Sequence, residues 1–258
     1  MPVVSEPTAG CARKYLDGMA AFDPTRVRVL AFDIFGTTVD WYTGVSAQLA
    51  ALFAAHGVQV DAGEFTSAWR GRYIPSMQQV QSGQRPWAYL DTLHRESLDD
   101  LLAQHGADLD EPARAEAVRA WHALPPWPDT VPGLSALRSR YTLAALSNGG
   151  FALLTNLVKA AALPMDCILS AELARAYKPD PRAYRTAAAL LDLPPEQVLM
   201  VAAHSWDLDG ARAAGLRTAF VVRPDEKGPT QQGDQPSAGA YDLTATSFTD
   251  LAAQLGSA

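Results

Sequence analysis

Short apolar runs without polar alternation recur along this chain, and the first, residues 27–32, stops abruptly at a carboxylate, Asp33. A run of that kind is the signature of a strand covered on both faces. Comparable runs lie at 142–146, 167–170, 198–203 and 218–222. Helical periodicities fall between them at 151–162, 181–191 and 208–214, the last ending at Gly215, a residue suited to a left-handed stop. Strand and helix alternating in this rhythm predict an α/β fold: a doubly wound parallel sheet, Rossmann-like, with helices on both faces.

Residues 44–124 break the rhythm, because no convincing strand lies there. Val45, Leu49, Leu52 and Phe53 mark one face of a helix that stops at Gly57. Further helical patterns follow at 64–80, 87–105 and 111–123, before Pro125, Pro126 and Pro128 return the chain to the sheet. The expected organisation is therefore an N-terminal extension over 1–25, an α/β core from 26–43 and 125–258, and an inserted all-helical cap over 44–124. Residues 223–240, rich in Pro, Gly, Gln and Asp, read as a surface loop before a last helix at 248–255.

The 258 residues suffice for one large domain or one with an insertion, and a net charge of −7 gives no basic surface for nucleic acid or anionic membrane. Cys11 and Cys167 form no disulfide-rich pattern, the histidines have no metal-ligand spacing, and no apolar run reaches membrane-spanning length. A cytoplasmic protein is the expectation.

Polar clusters follow four strands: Asp33; Ser147, Asn148, Gly149 and Gly150; Lys178, Pro179 and Asp180; His204, Ser205, Trp206 and Asp207. In a parallel sheet the carboxyl ends share one edge, where ligands bind, so these clusters should meet in one crevice. A buried carboxylate there is costly unless its charge is stabilised. Two residues after Asp33 stands Phe35, a ring that neither gives nor takes a proton. Asp33 thus reads as a nucleophile for a leaving group that departs unprotonated. Taken singly, each cluster has a plainer reading: a turn, a solvated lysine, or a carboxylate capping the helix that begins near Leu208. Asp209 competes with Asp207, and Asp180 reads as a cap.

Asp33-Ile34-Phe35-Gly36-Thr37, Leu146-Ser147-Asn148-Gly149, Lys178-Pro179-Asp180 and Trp206-Asp207 resemble the four ordered motifs of the haloacid dehalogenase superfamily. The chain is most similar to its 2-haloacid dehalogenases over roughly residues 26–256. The resemblance implies hydrolytic removal of halogen from 2-haloalkanoic acids, with no metal or other cofactor required, by a homodimer, with the L (that is, S) form taken where the substrate is chiral. Asp33 would displace the halide and form an ester, Lys178 would offset the charge of the substrate carboxylate, Ser147 would hold that carboxylate, and Asp207 would direct the hydrolytic water. Arg70 (with Arg72 as competitor) and Asn148 match the halide-contacting positions, Phe35 and Trp206 supply walls, Tyr184 stands near the lysine, and Ile34, Thr37 and His204 join the substrate-contacting set. Ala202 and His204 depart from the family, whose members often carry Ser and Asn there and use them to support the lysine and the hydrolytic aspartate. His204 then either supports Asp207 or adds a donor to a tighter halide pocket, which would favour fluoroacetate-type substrates. A phosphatase of this architecture carries a second Asp where Phe35 stands, to protonate the departing alkoxide, and general acids are worth roughly 10²–10⁴-fold. A Mg²⁺-dependent phosphatase is therefore the runner-up, and a non-catalytic binding protein the third reading. Trp41, Trp87 and Trp127 read as packing residues, and His56, His94, His105 and His122 have no assigned partners.

Overall fold

The computed structural model describes residues 22–257, so Cys11 and most of the expected N-terminal extension lie outside the described residues. Strand β1 (Val29–Phe32) is followed by helices α1 (Trp41–Ala55), α2 (Ala62–Gly71), α3 (Tyr73–Gln81), α4 (Leu90–Gln104), α5 (Glu111–Arg119) and α6 (Thr130–Arg138). Then come β2 (Thr142–Ser147), α7 (Phe151–Ala160), β3 (Cys167–Ser170), the short α8 (Ala171–Ala174) and α9 (Pro181–Leu190). The chain closes with β4 (Val198–Ala202), α10 (Ser205–Ala213), β5 (Arg217–Val221), β6 (Leu243–Ala245) and α11 (Phe248–Gln254).

All six strands are parallel, in the order β3-β2-β1-β4-β5-β6. The order reverses at β1, so the end of that strand sits at the switch point where open α/β sheets bind ligands. Alternate residues divide the sheet between two cores. Val29, Ala31, Leu146 and Met200 pack with Tyr184, Ala187, Leu208 and Ala211 of α9 and α10. Leu30, Phe32, Leu143 and Val201 face Leu134, Leu137, Leu153 and Leu251 of α6, α7 and α11, in a cluster that continues without a break into Leu49, Phe65, Trp69, Leu98 and Trp121 of the helical insertion.

Several elements differ from the sequence reading for local reasons. The pattern at 64–80 is two helices, α2 and α3, meeting at Arg72. Pro75 has no N–H to continue α2 but is tolerated in the first turn of α3. Helix α6 went unpredicted, its first turn holding Pro132 and Gly133. That glycine is required, since a Cβ there would overlap Phe248 of α11. Strand β6 has three residues, too few to carry a period. The segment 223–240 is more than a surface loop, because Arg223 and Glu226 are buried. The Arg223 guanidinium forms a fork on Asp129 (2.7 and 3.0 Å) and donates Nε–H to the Thr37 carbonyl, which ties the loop beneath the turn that follows β1.

Candidate active site

Beyond β1 the chain turns sharply, with Gly36 at φ +85°. A Cβ at Gly36 would also overlap the Glu226 carboxylate, so backbone and neighbour both demand glycine. The turn fixes Asp33 from three sides. Its N–H donates to the Val201 carbonyl (3.0 Å), Thr38 Oγ1 donates to its carbonyl (2.6 Å), and Thr37 Oγ1 donates to its Oδ2 (2.9 Å). Thr37 in turn accepts the Ala203 N–H (2.9 Å), so its hydroxyl proton is committed to Asp33.

Lys178 Nζ donates to Asp33 Oδ1 (2.9 Å), to the Leu146 carbonyl (3.0 Å) and to Asp207 Oδ2, which bridges the two carboxylates in a buried site. Asn148, just past β2, sets the lysine in place, since its Oδ1 accepts the Lys178 N–H (2.7 Å) and its amide donates to the Lys178 carbonyl (3.3 Å). Tyr184 of α9 donates to Asp207 Oδ1 (2.6 Å). Burial pushes Asp33 upward, but Lys178 and His204 outweigh it and hold its carboxyl well below the usual carboxylate range. Burial also opposes the charge of Lys178, and the two aspartates more than restore it. Asp207 is raised, chiefly by burial, with the Asp33 charge adding to it.

His204 faces carboxylates at both ring nitrogens: Nδ1 to Asp33 Oδ2 (3.0 Å) and Nε2 to Glu226 Oε1 (2.9 Å). Carboxylates only accept, so both nitrogens serve as donors and the ring is an imidazolium. Burial lowers the pKa of this histidine, but Glu226 and Asp33 carry it up to about 10. Trp41 Nε1 donates to the same Glu226 oxygen (3.0 Å).

Opposite this network stands Arg70 of α2. Its Cζ lies 4.0 Å from the Tyr73 ring centroid, 5.3 Å from Trp41 and 6.0 Å from Phe35. Among the described residues it has no hydrogen bond or ion pair, and Nη1 is buried without a partner. Arg70, Trp41, Tyr73, His204, Trp206 and Glu226 line a cavity of about 290 Å³. A second cavity of about 240 Å³, which shares Ile74 and Trp206 with the first, reaches Lys178.

The four sequence clusters thus converge at one sheet edge. Arg70 rather than Arg72 faces the cavity, since Arg72 bonds Gln104 and Asp100 at the surface. Phe35 and Ile34 are buried, and Trp206 lines both cavities while stacked on His204. Ser147 is buried, its Oγ accepting the Gly149 N–H (3.3 Å). Asp180 caps α9, whereas Asp209 pairs with Arg212 away from the site.

Other placements differ from expectation. Asp207 does not cap α10, which begins at Ser205, and its side chain turns inward to Lys178 and Tyr184. His204 neither supports Asp207 nor has a ring nitrogen left for the halide pocket. Thr37 holds the nucleophile candidate rather than facing open space, whereas the Asn148 amide gives one N–H to the Lys178 carbonyl and keeps the second. Trp41 does more than pack: it binds Glu226 and lines the cavity. His94 stacks on Trp121, and His122 bonds Asp91 and Asn156. Sequence reasoning missed Glu226 altogether, because an acidic residue in a loop rich in Pro, Gly and Gln carries no local mark of burial.

Residues 27–215 match the family of haloacid dehalogenase-like hydrolases. A relative, (S)-2-haloacid dehalogenase 1 of Pseudomonas sp. (strain CBS-3), is 33% identical over 201 residues, covering 76% of this chain and 85% of that protein. Haloacetate dehalogenase H-2 of Moraxella sp. (strain B) is 27% identical over 77% of this chain and 87% of its own. Among solved structures, a defluorinating L-2-haloacid dehalogenase superposes with a TM-score of 0.87 at 48% identity, covering 89% of this chain and 95% of that one. The L-2-haloacid dehalogenase of Xanthobacter autotrophicus with chloropropionic acid covalently bound gives 0.75 at 25% identity over 89% and 98%. The chain belongs to the haloacid dehalogenase-like hydrolases.

Proposed function

We propose that this protein hydrolyses small 2-haloalkanoic acids to 2-hydroxy acids through an ester formed on Asp33. The observation that carries the proposal is the pairing of a buried, ionised carboxylate at the switch point of the sheet with an unpartnered guanidinium across the cavity. Asp33 attacks the halogen-bearing carbon from behind, and the halide departs toward Arg70 along a wall of aromatic rings. The substrate carboxylate meets the Ser147 hydroxyl and the positive field of Lys178, whose three N–H bonds go to Asp33, Asp207 and the Leu146 carbonyl. That positive charge matters because two like charges 4 Å apart repel by about 4 kcal/mol at an effective dielectric of 20. Asp207, raised by burial, takes a proton from the water that opens the ester. Phe35 places no general acid two residues after the nucleophile, and a departing halide needs none. A relative's covalent complex with chloropropionic acid supports the ester route, and the names of the curated relatives support the S enantiomer.

Support for a metal-free reaction comes from the same contacts. The oxygens of Asp33 and Asp207 accept hydrogen bonds from Lys178, Thr37, His204 and Tyr184, and residue 35 offers no carboxylate. This donor set does not fit a divalent ion held between the two aspartates. Fluoroacetate belongs among the substrates on the strength of the defluorinating relative, although His204 is not the free donor that would favour fluoride. We further propose a cytoplasmic homodimer. Among the described residues no helix is long and apolar enough to cross a membrane.

The test is halide release from fluoro-, chloro- and bromoacetate and from both 2-chloropropionates, with p-nitrophenyl phosphate assayed with and without Mg²⁺. Metal-independent halide release with preference for the S enantiomer is expected. Strong Mg²⁺-dependent phosphate release without halide release would overturn the proposal.

A further inference from the structure

The chemistry above leaves one buried pair unused, His204 and Glu226. Around the cleft stand four carboxylates (Asp33, Asp207, Glu226 and Asp234) and four cations (Lys178, Arg70, Lys227 and His204), so the site is balanced only while the imidazole is charged. The two oxygens of Asp33 are also unequal. Oδ2 accepts from both Thr37 and His204, whereas Oδ1 accepts from Lys178 alone. Oδ1 therefore keeps a lone pair free to attack the substrate carbon, and Oδ2 becomes the carbonyl oxygen of the resulting ester.

We propose that His204 is a catalytic residue of ester hydrolysis, an oxyanion donor to Asp33 Oδ2, and that Glu226 is the positioning residue that keeps it charged. This assignment rests on Asp33 being the nucleophile. In the second half-reaction the water oxygen bonds to Asp33 Cγ, and one water proton passes to Asp207. The π pair of the Cγ–Oδ2 bond moves onto Oδ2. That negative charge grows on the very atom already 2.9 Å from Thr37 Oγ1 and 3.0 Å from His204 Nδ1, within the range of an effective oxyanion hole. The pair then returns to re-form the carbonyl, the Cγ–Oδ1 bond breaks, and Oδ1 leaves in the 2-hydroxy acid with the proton held by Asp207. Asp33, now an acid with one oxygen from water, releases its proton. Glu226 contributes through the second ring nitrogen and is itself steadied by Trp41.

The charged groups facing His204 are Asp33 on the turn after β1, Glu226 and Asp234 on the loop after β5, and Arg70 across the cavity on α2. Removing the Glu226 charge lets the imidazolium lose its proton at lower pH, while Glu226→Gln keeps the size and an acceptor for Trp41.

The experiment is rapid quench with (S)-2-chloropropionate, following halide and the intact mass of the chain, on wild type, His204→Ala, His204→Asn, Glu226→Gln and Asp33→Asn. His204→Ala should release about one equivalent of chloride at a near wild-type rate, then turn over roughly 10²–10³-fold more slowly, with the ester accumulating on the chain. His204→Asn, which retains a neutral donor, should recover part of that loss. Glu226→Gln should lose turnover as pH rises through neutrality, in a range where wild type remains flat. If burst and steady state fall together in His204→Ala without ester, or if the Glu226→Gln profile matches wild type, the assignment is overturned even with Asp33 as nucleophile. If Asp33→Asn releases chloride as wild type does, the Asp33 reading fails instead. Should His204→Ala not fold, the remaining variants still decide.

Discussion

On the sheet side of the cleft, Asp33, Lys178, Asp207, His204 and Glu226 bind one another, whereas on the cap side Arg70 rests on ring faces with no polar partner among the described residues. A half-buried cation with no polar partner is costly, and contacts with aromatic faces return only about 0.5–2 kcal/mol. In the proposed reaction the difference tracks the task of each wall. Covalent chemistry needs a carboxylate held in one orientation, so its neighbours are satisfied in advance. Capture of a departing anion needs a cation whose bonding is incomplete until the anion arrives.

Substitutions on the two walls should therefore separate stability from rate. Lys178→Met leaves two buried carboxylates without the cation between them, so activity should fall to background and stability by about 3–5 kcal/mol, read by urea unfolding. Unchanged stability would mean the sheet-side network is not what holds these charges. Arg70→Met removes a cation that has no partner to strand. Turnover should fall about 10²–10³-fold while stability holds or rises, and a loss matching that of Lys178→Met would erase the contrast.

Acid should find the cap first. His94 is buried with neither ring nitrogen bonded, and burial lowers it from 6.5 to about 3. The unfolded chain binds this proton and the folded chain refuses it, so stability should drop as pH falls from about 6.5 toward 3, by about 2 kcal/mol at pH 5. Asp33, held low on the sheet side, contributes stability that persists until pH falls below the ordinary carboxylate range. A His94→Phe variant whose melting temperature declines as steeply as wild type from pH 7 to 5 would contradict this. Smallest is Tyr184→Phe, which takes one donor from Asp207 and should cost about 1 kcal/mol, measured in the same unfolding assay.

How much was legible in the sequence follows from distance along the chain. Continuous apolar runs report burial on both faces, so five strands could be read directly, while the three-residue β6 and the Pro-Gly start of α6 could not. Polar residues just past strand ends could be assigned to one edge because parallel geometry puts them there. The bond from Trp41 to Glu226 joins residues 185 apart, and only packing brings them together. Only the resemblance, not the helical pattern, favours Arg70 over Arg72, and the structure places Arg70 at the cavity and Arg72 on Gln104 and Asp100.

The central claim is that Asp33 carries the substrate covalently. Single turnover in heavy-oxygen water with enzyme in excess, followed by mass analysis of the peptide containing Asp33, tests it most directly. The account predicts one heavy oxygen on Asp33 and none in the first-turnover product; heavy oxygen in that product with Asp33 unlabelled would contradict it.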